Sequence, residues 1–243
     1  MKQEEGKDQR QGYGKVYLVG SGPGAADLLT VRAVRILGEA EVVLHDALVT
    51  DDILELCPQA EKIPVGKRSG QRSTAQEAIN RQLVECAARY RLVVRLKGGD
   101  PMVFGRADEE LRALENAGIE VESIPGTTAA LAAASAALQP LTRRGTARSV
   151  ALFTSATAPG HPERVTLPNC DTLVQYMGGK EATVTARWLL SQGHAADTPV
   201  VVVENCSRPD QHVLHLRLEE LEQGLASRSG PVLVMIGPAM GRR

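Results

Sequence analysis

At 243 residues with 43% apolar side chains, the chain has the length and apolar content for one large or two small globular domains with packed cores. Its 28 lysines and arginines against 29 aspartates and glutamates leave no global field for nucleic acid or an anionic membrane, so any basic site must be local. The four cysteines, Cys57, Cys86, Cys170 and Cys206, stand far apart without a Cys-x-x-Cys pair, which speaks against structural zinc and for reduced thiols in the cytoplasm.

The first fourteen residues, MKQEEGKDQRQGYG, are polar and read as a disordered tail, and no apolar run reaches membrane-spanning length. Lys15–Val19 then reads as a buried strand running into GSGPG (Gly20 to Gly24) and a helix-like pattern. Pro23 interrupts the GxGxxG spacing of a dinucleotide loop, so this stretch alone fits a tight turn as well as a ligand loop. Glu41–His45 is the next strand and ends in HDALV, where Asp46 is either a turn cap or a carboxylate at the sheet end. VGKRSGQRS carries Lys67, Arg68 and Arg72, a composition that suits a solvated loop or a polyanion site. A helix is predicted from about Ser73 to Tyr90, opened by a Ser73/Gln76 capping box and faced by Ile79, Leu83 and Ala87.

Strand Leu92–Leu96 leads into RLKGGDPMVFGRADEE, whose glycines, aspartate and proline directly after a buried strand imply close backbone approach to something bound. A helix near Asp108–Ala117 stops at Gly118, and Ile119–Ile124 forms another strand. A small-residue segment, Thr127–Leu138, and a connection, residues 139–148, precede a second strand-and-helix series: Ser149–Thr154, Asp171–Tyr176, helix Glu181–Leu190, Thr198–Val203, His212–Leu216, helix Leu218–Leu225 and Pro231–Ile236. The fold expected is two α/β domains, residues 15–138 and 149–243, with a cleft between them. The sheet should be mostly parallel, covered on both sides, with ligands beyond the carboxyl ends of its strands.

GSGPG, the HDALV carboxylate, VGKR, RLKGGDPMVFGR, PGTTAALAA, PLTRRG, YMGG and VENCS occur in the order and context of uroporphyrinogen-III C-methyltransferases. From about Val16 to Gly237 the chain therefore resembles this branch of the tetrapyrrole methylase family, with KGGDP-x-VFGR as the most specific element. The resemblance implies two α/β domains with the active site in their cleft. It also implies transfer of two methyl groups from S-adenosylmethionine to carbons 2 and 7 of uroporphyrinogen III, giving precorrin-2 through precorrin-1, with S-adenosylhomocysteine released. No metal is needed, since the pyrrole carbon is electron-rich and the sulfonium already activates the methyl group; in-line alignment is the enzyme's main task. A homodimer is implied as well.

Carried over position by position, the cofactor contacts implied are Pro23, Gly98, Gly99, Asp100, Val103, Thr128, Ala129, Met177 and Cys206. Asp100 suits ribose hydroxyls or the amino group, or else caps the Pro101 turn. The tetrapyrrole carboxylates would be held by Arg106 and Arg144, with Lys67 and Arg68 as further candidates, and Glu109 would accept a pyrrole N–H or orient an arginine. The catalytic set implied is Asp46 as proton acceptor or cation stabiliser, Lys67 as proton donor and Arg106. The chain departs from the family pattern at GRADEE, at Arg143 in LTRRG, at SATAPG and at Cys206, where glycine is usual. The dehydrogenase and chelatase module of fused siroheme synthases is not recognised in it. Two other readings stand beside this one: a methylase of a later corrin precursor, and a non-catalytic S-adenosylmethionine-binding module. A dinucleotide-dependent oxidoreductase is a third and more distant one.

Overall fold

The protein is described from a computed structural model, which covers residues 12–66, 76–155, 166–167, 169–226 and 230–241. The chain forms two compact units, Met1–Thr127 and Thr128–Arg243. In the first, β1 (Lys15–Gly20), β2 (Val42–His45), β3 (Glu61–Pro64), β4 (Leu92–Lys97) and β5 (Val121–Ile124) make one sheet in the order β3-β2-β4-β1-β5. Every pairing in it is parallel, as the buried apolar runs predict.

Strand alternation divides this unit into two apolar layers. Val16, Leu18, Leu44 and Val93 pack with Ile79 and Leu83 of α3 (Gln76–Arg89) and Leu114 of α4 (Ala107–Asn116). Val19, Val43, Val94 and Leu96 pack on the other face with Ala33 and Leu37 of α1 (Val31–Glu39) and Ile53 of the four-residue α2 (Asp51–Leu54). Each fully buried leucine or valine contributes about 1.5–3 kcal/mol relative to exposure, so both layers are needed. Helix α1 is capped by Thr30, whose hydroxyl accepts the Ala33 N–H at 3.1 Å. Helix α4 ends as expected at Gly118, which has φ +69° and donates its N–H to Glu115 at 2.9 Å. The Ser73 half of the expected α3 capping box lies outside the described residues. Strand β3 is an addition: EKIP is an edge strand in which Ile63 packs on the first layer and the other three side chains are exposed, too little for an apolar run.

The second unit holds α5 (Ala129–Ala136), β6 (Val150–Thr154), β7 (Thr172–Tyr176), α6 (Gly178–Ser191), β8 (Pro199–Glu204), β9 (His212–Arg217), α7 (Leu218–Glu222) and β10 (Val232–Ile236). Its sheet runs β6-β7-β10-β8-β9. Only β6 and β7 pair in parallel; the other three pairings are antiparallel. The turn between β8 and β9 is too short for a crossover, which needs a dozen or more residues, so this sheet is mixed. Residues 128–138, placed by sequence with the first domain, fall in the second unit. Ala130 and Ala133 of α5 pack on Val174, Val201 and Met235, and such small side chains let the helix lie close to the sheet. Leu189, Leu218 and Leu221 cover the opposite face through α6 and α7. Among the described residues no helix is long and apolar enough to cross a membrane.

Candidate active site

GSGPG, HDALV and the KGGD loop leave the carboxyl ends of β1, β2 and β4, where a sheet of this type presents its ligands. Two of them are joined by an antiparallel bridge: the Gly22 N–H donates to Gly99 at 3.1 Å, and the Gly99 N–H returns to Gly22 at 2.7 Å. GSGPG is thus half of a backbone clasp with KGGD. A third loop closes on both. A Cβ on Gly20 would stand 2.6 Å from the Gly126 nitrogen and 2.7 Å from the Gly99 oxygen, and one on Gly126 would stand 2.3 Å from that oxygen. Gly99 itself has φ +69°, which favours glycine, and open space where its Cβ would be.

Asp100 locks this arrangement. One carboxylate oxygen accepts the Met102 N–H at 2.8 Å and the other the Gly126 N–H at 3.0 Å. The turn-capping role therefore exists, and a second lone pair on each oxygen keeps acceptor capacity for a ligand. Pro23 and Val103 are half-buried on the flanking turns, and the Val103 N–H closes a turn on Asp100 at 3.2 Å.

Asp46 stands at the end of β2. Its Oδ1 accepts a hydrogen bond from Nη2 of Arg95 at 2.5 Å. Arg95 is buried and also reaches Oε1 of Glu110 at 2.9 Å, while Lys97, two residues on along the same face of β4, reaches Oε2 of Glu110 at 2.9 Å. Burial pushes the Lys97 ammonium below its ordinary range, and the Arg95 charge adds to this. Burial also disfavours the Arg95 charge, but the Asp46 and Glu110 carboxylates outweigh it and hold the guanidinium above its ordinary range. Gly66, the residue before Lys67, packs its backbone on the Asp46–Ala47 peptide. Lys67 and Arg68 themselves lie outside the described residues.

Arg106 and Glu109 form a bidentate pair at the start of α4, with Nε–Oε1 at 2.7 Å and Nη2–Oε2 at 2.8 Å. The hydrogen bond from Arg106 holds the Glu109 carboxyl below the usual range. The arginine that Glu109 contacts is thus Arg106.

In the second unit, Thr128 precedes α5 and its hydroxyl meets the Tyr176 hydroxyl at 2.5 Å; that same hydroxyl accepts the Ala130 N–H at 3.1 Å. Tyr176 closes β7 and is followed by Met177, so Thr128, Ala129 and Met177 are brought to one place. Cys206 is buried in the adjoining core, and burial pushes its thiol up to about 11. Arg144 lies in an exposed turn closed by an Arg143–Ala147 bridge. Arg143 turns away: its guanidinium donates to the Ala239 and Gly241 carbonyls at 2.9 and 2.8 Å. The extra charge at this departure from the family pattern is thus spent within the fold. Most of SATAPG lies outside the described residues.

Backbone conformation marks the same places independently. Among the described residues, six that are not glycine have positive φ, and four of these are Arg106, Met177, and Asn205 and Ser207 on either side of Cys206. A left-handed conformation costs a residue with a Cβ about 1–2 kcal/mol, and such costs collect at functional sites.

The frame that carries these loops is two α/β units, with glycine-welded loops at the carboxyl ends of a parallel sheet in the first. The chain belongs to the tetrapyrrole methylase family: the profile of the Tetrapyrrole (Corrin/Porphyrin) Methylases matches residues 15–222. It is 44% identical over 228 residues to the uroporphyrinogen-III C-methyltransferase of Pseudomonas aeruginosa, an alignment covering 92% of this chain and 93% of that protein. It is 42% identical to the siroheme synthase of Zymomonas mobilis across 94% of its own length, but spans only about half (49%) of that relative. The crystal structure of the uroporphyrin-III C-methyltransferase of Thermus thermophilus complexed with S-adenosylhomocysteine matches it with a TM-score of 0.80 at 40% identity, covering 93% of this chain and 98% of that one.

Three residues of the site were not picked out from sequence: Arg95, Lys97 and Glu110. A signal was there in VVRLK, where two cations two residues apart interrupt a buried strand and must share a face. Glu110, their common partner, lies on another element and could not be found from spacing alone.

Proposed function

We propose that this protein is an S-adenosylmethionine-dependent C-methyltransferase that adds two methyl groups to uroporphyrinogen III and yields precorrin-2 by way of precorrin-1. The observation that carries this reading is the joining of the Gly22–Gly99 clasp and the Asp46–Arg95 carboxylate at one sheet end, in a chain so similar to the Pseudomonas aeruginosa enzyme.

The first unit fits the methyl donor at Gly99, whose positive φ and open Cβ side leave backbone accessible to a ligand. The residues proposed to contact it are Pro23, Gly98, Gly99, Asp100, Val103, Thr128, Ala129, Met177 and Cys206. When bound, S-adenosylmethionine supplies a methyl group already activated on a sulfonium. Arg106, kept in place by Glu109, retains N–H donors for a carboxylate of the polycarboxylated substrate. Arg144 and Arg68 would add further cationic contacts. Asp46 would accept the proton that the methylated macrocycle must lose, or stabilise the positive charge before it leaves, and Lys67 would donate. The enzyme would work in the cytoplasm as a homodimer, without metal.

An anaerobic assay with uroporphyrinogen III and S-adenosylmethionine tests this. Two methyl groups per tetrapyrrole, matched by two S-adenosylhomocysteine molecules, is the expected result. Bound cofactor with no methylated product would replace the reading by a binding module, and turnover only on a methylated corrin precursor would move it along the family.

A further inference from the structure

Four ionisable side chains from three elements meet beneath the carboxyl end of the first sheet, and the reaction proposed above uses only Asp46 directly. Arg95 and Lys97 are each 2% exposed and Glu110 is 0% exposed. Burying such groups is costly, and an apolar set of similar volume is often as stable or more so, which directs attention to what the cluster touches. Arg95 distributes its donors over separate acceptors: Nε to Glu110 at 2.9 Å, Nη1 to the Leu96 carbonyl at 3.1 Å, and Nη2 to Asp46 Oδ1 at 2.5 Å. Lys97 and Gln76 complete Glu110 at 2.9 and 3.3 Å, so each carboxylate faces a cation. The Asp46 side chain is 30% exposed, and among the described residues nothing donates to its Oδ2.

We propose that Arg95 is a positioning residue for methyl transfer: anchored by Glu110, it fixes Oδ1 of Asp46 and leaves Oδ2 available for the proton released by the macrocycle. The proposal rests on the function given above. A guanidinium suits the task because its planar fork spans two carboxylates in fixed directions, which a single ammonium does not.

Arg95→Lys keeps the charge and loses the fork. Its kcat should fall about 10- to 100-fold, the cost of a misplaced reacting group, while KM for both substrates and the calorimetric affinity for S-adenosylhomocysteine stay near wild type. In an Asp46→Asn background the same substitution should cost less than about 2-fold, because residues that act through one another are not additive. Equal losses in both backgrounds, or a wild-type kcat for Arg95→Lys, would overturn the assignment. If Arg95→Lys fails to bind S-adenosylhomocysteine or to unfold cooperatively, Glu110→Gln serves instead. That variant should show a smaller kcat loss that again vanishes beside Asp46→Asn, and a loss that persists there counts against the proposal. A wild-type protein inactive on uroporphyrinogen III would defeat the function itself, so the two failures are separable.

Discussion

Arg106 pairs with Glu109 at the surface, where an ion pair alone contributes little to stability, so its removal should be felt in turnover rather than folding. Arg106→Ala is expected to lower kcat/KM for the tetrapyrrole at least about 100-fold, with S-adenosylmethionine affinity within about 2-fold by calorimetry. Normal turnover would remove Arg106 from the substrate site. Arg143 gives the reverse pattern. Arg143→Ala abandons two carbonyls near the C-terminus and should cost about 1–3 kcal/mol in denaturant unfolding while leaving kcat unchanged. Cys206 carries a third prediction. With its thiol pushed up to about 11 by burial, almost none is thiolate at pH 8, and iodoacetamide should label it at least about 100-fold more slowly in native than in unfolded protein.

Among elements, the loops at the end of the parallel sheet are tightly interlocked and the helix surfaces are not. Gly20→Ala forces a Cβ onto the backbone of two neighbouring loops and should cost about 1–3 kcal/mol together with most of the cofactor affinity. Gly38, on the exposed side of α1, has nothing within 4 Å of its missing Cβ, so Gly38→Ala should add about 0.5–1 kcal/mol of stability. Thermal unfolding with and without S-adenosylhomocysteine separates the two. The same contrast explains what sequence can reveal at this scale. Strands β1, β2 and β4 announce themselves because both faces are largely buried; β3 does not, since all its side chains but Ile63 are exposed. Helix α5 is hidden in an alanine run where apolar and small positions have no period, and its membership in the second core depends on partners remote in sequence.

For the whole molecule, the alternation of strands and helices was enough to expect two α/β units, because each buried strand needs helical cover. Strand direction in the second sheet was less accessible: β10 pairs antiparallel to both β7 and β8, a choice made by long-range connection and not by local pattern. The glycine loops that meet at the end of the first sheet were singled out from motif order. The charge cluster was not, since its cost and its compensation appear only when β2, β4 and α4 are assembled. The expected assembly is a homodimer, and light scattering at micromolar protein should give twice the mass of the 26.0 kDa chain. A monomer at that concentration would remove the dimer from the proposal.

The placement of Arg95 and Lys97 also bears on how the first sheet avoids assembling wrongly. A slip of β4 by one residue turns every side chain to the opposite face. Val94 and Leu96 would trade places with the two cations, which would then lie among Val19, Val43 and Ile124, far from Glu110. Apolar strands of near-uniform composition tolerate such slips cheaply; this one does not. The residues that hold the Asp46 carboxylate therefore also weigh against a misregistered sheet, in which two cations would be buried without their partner.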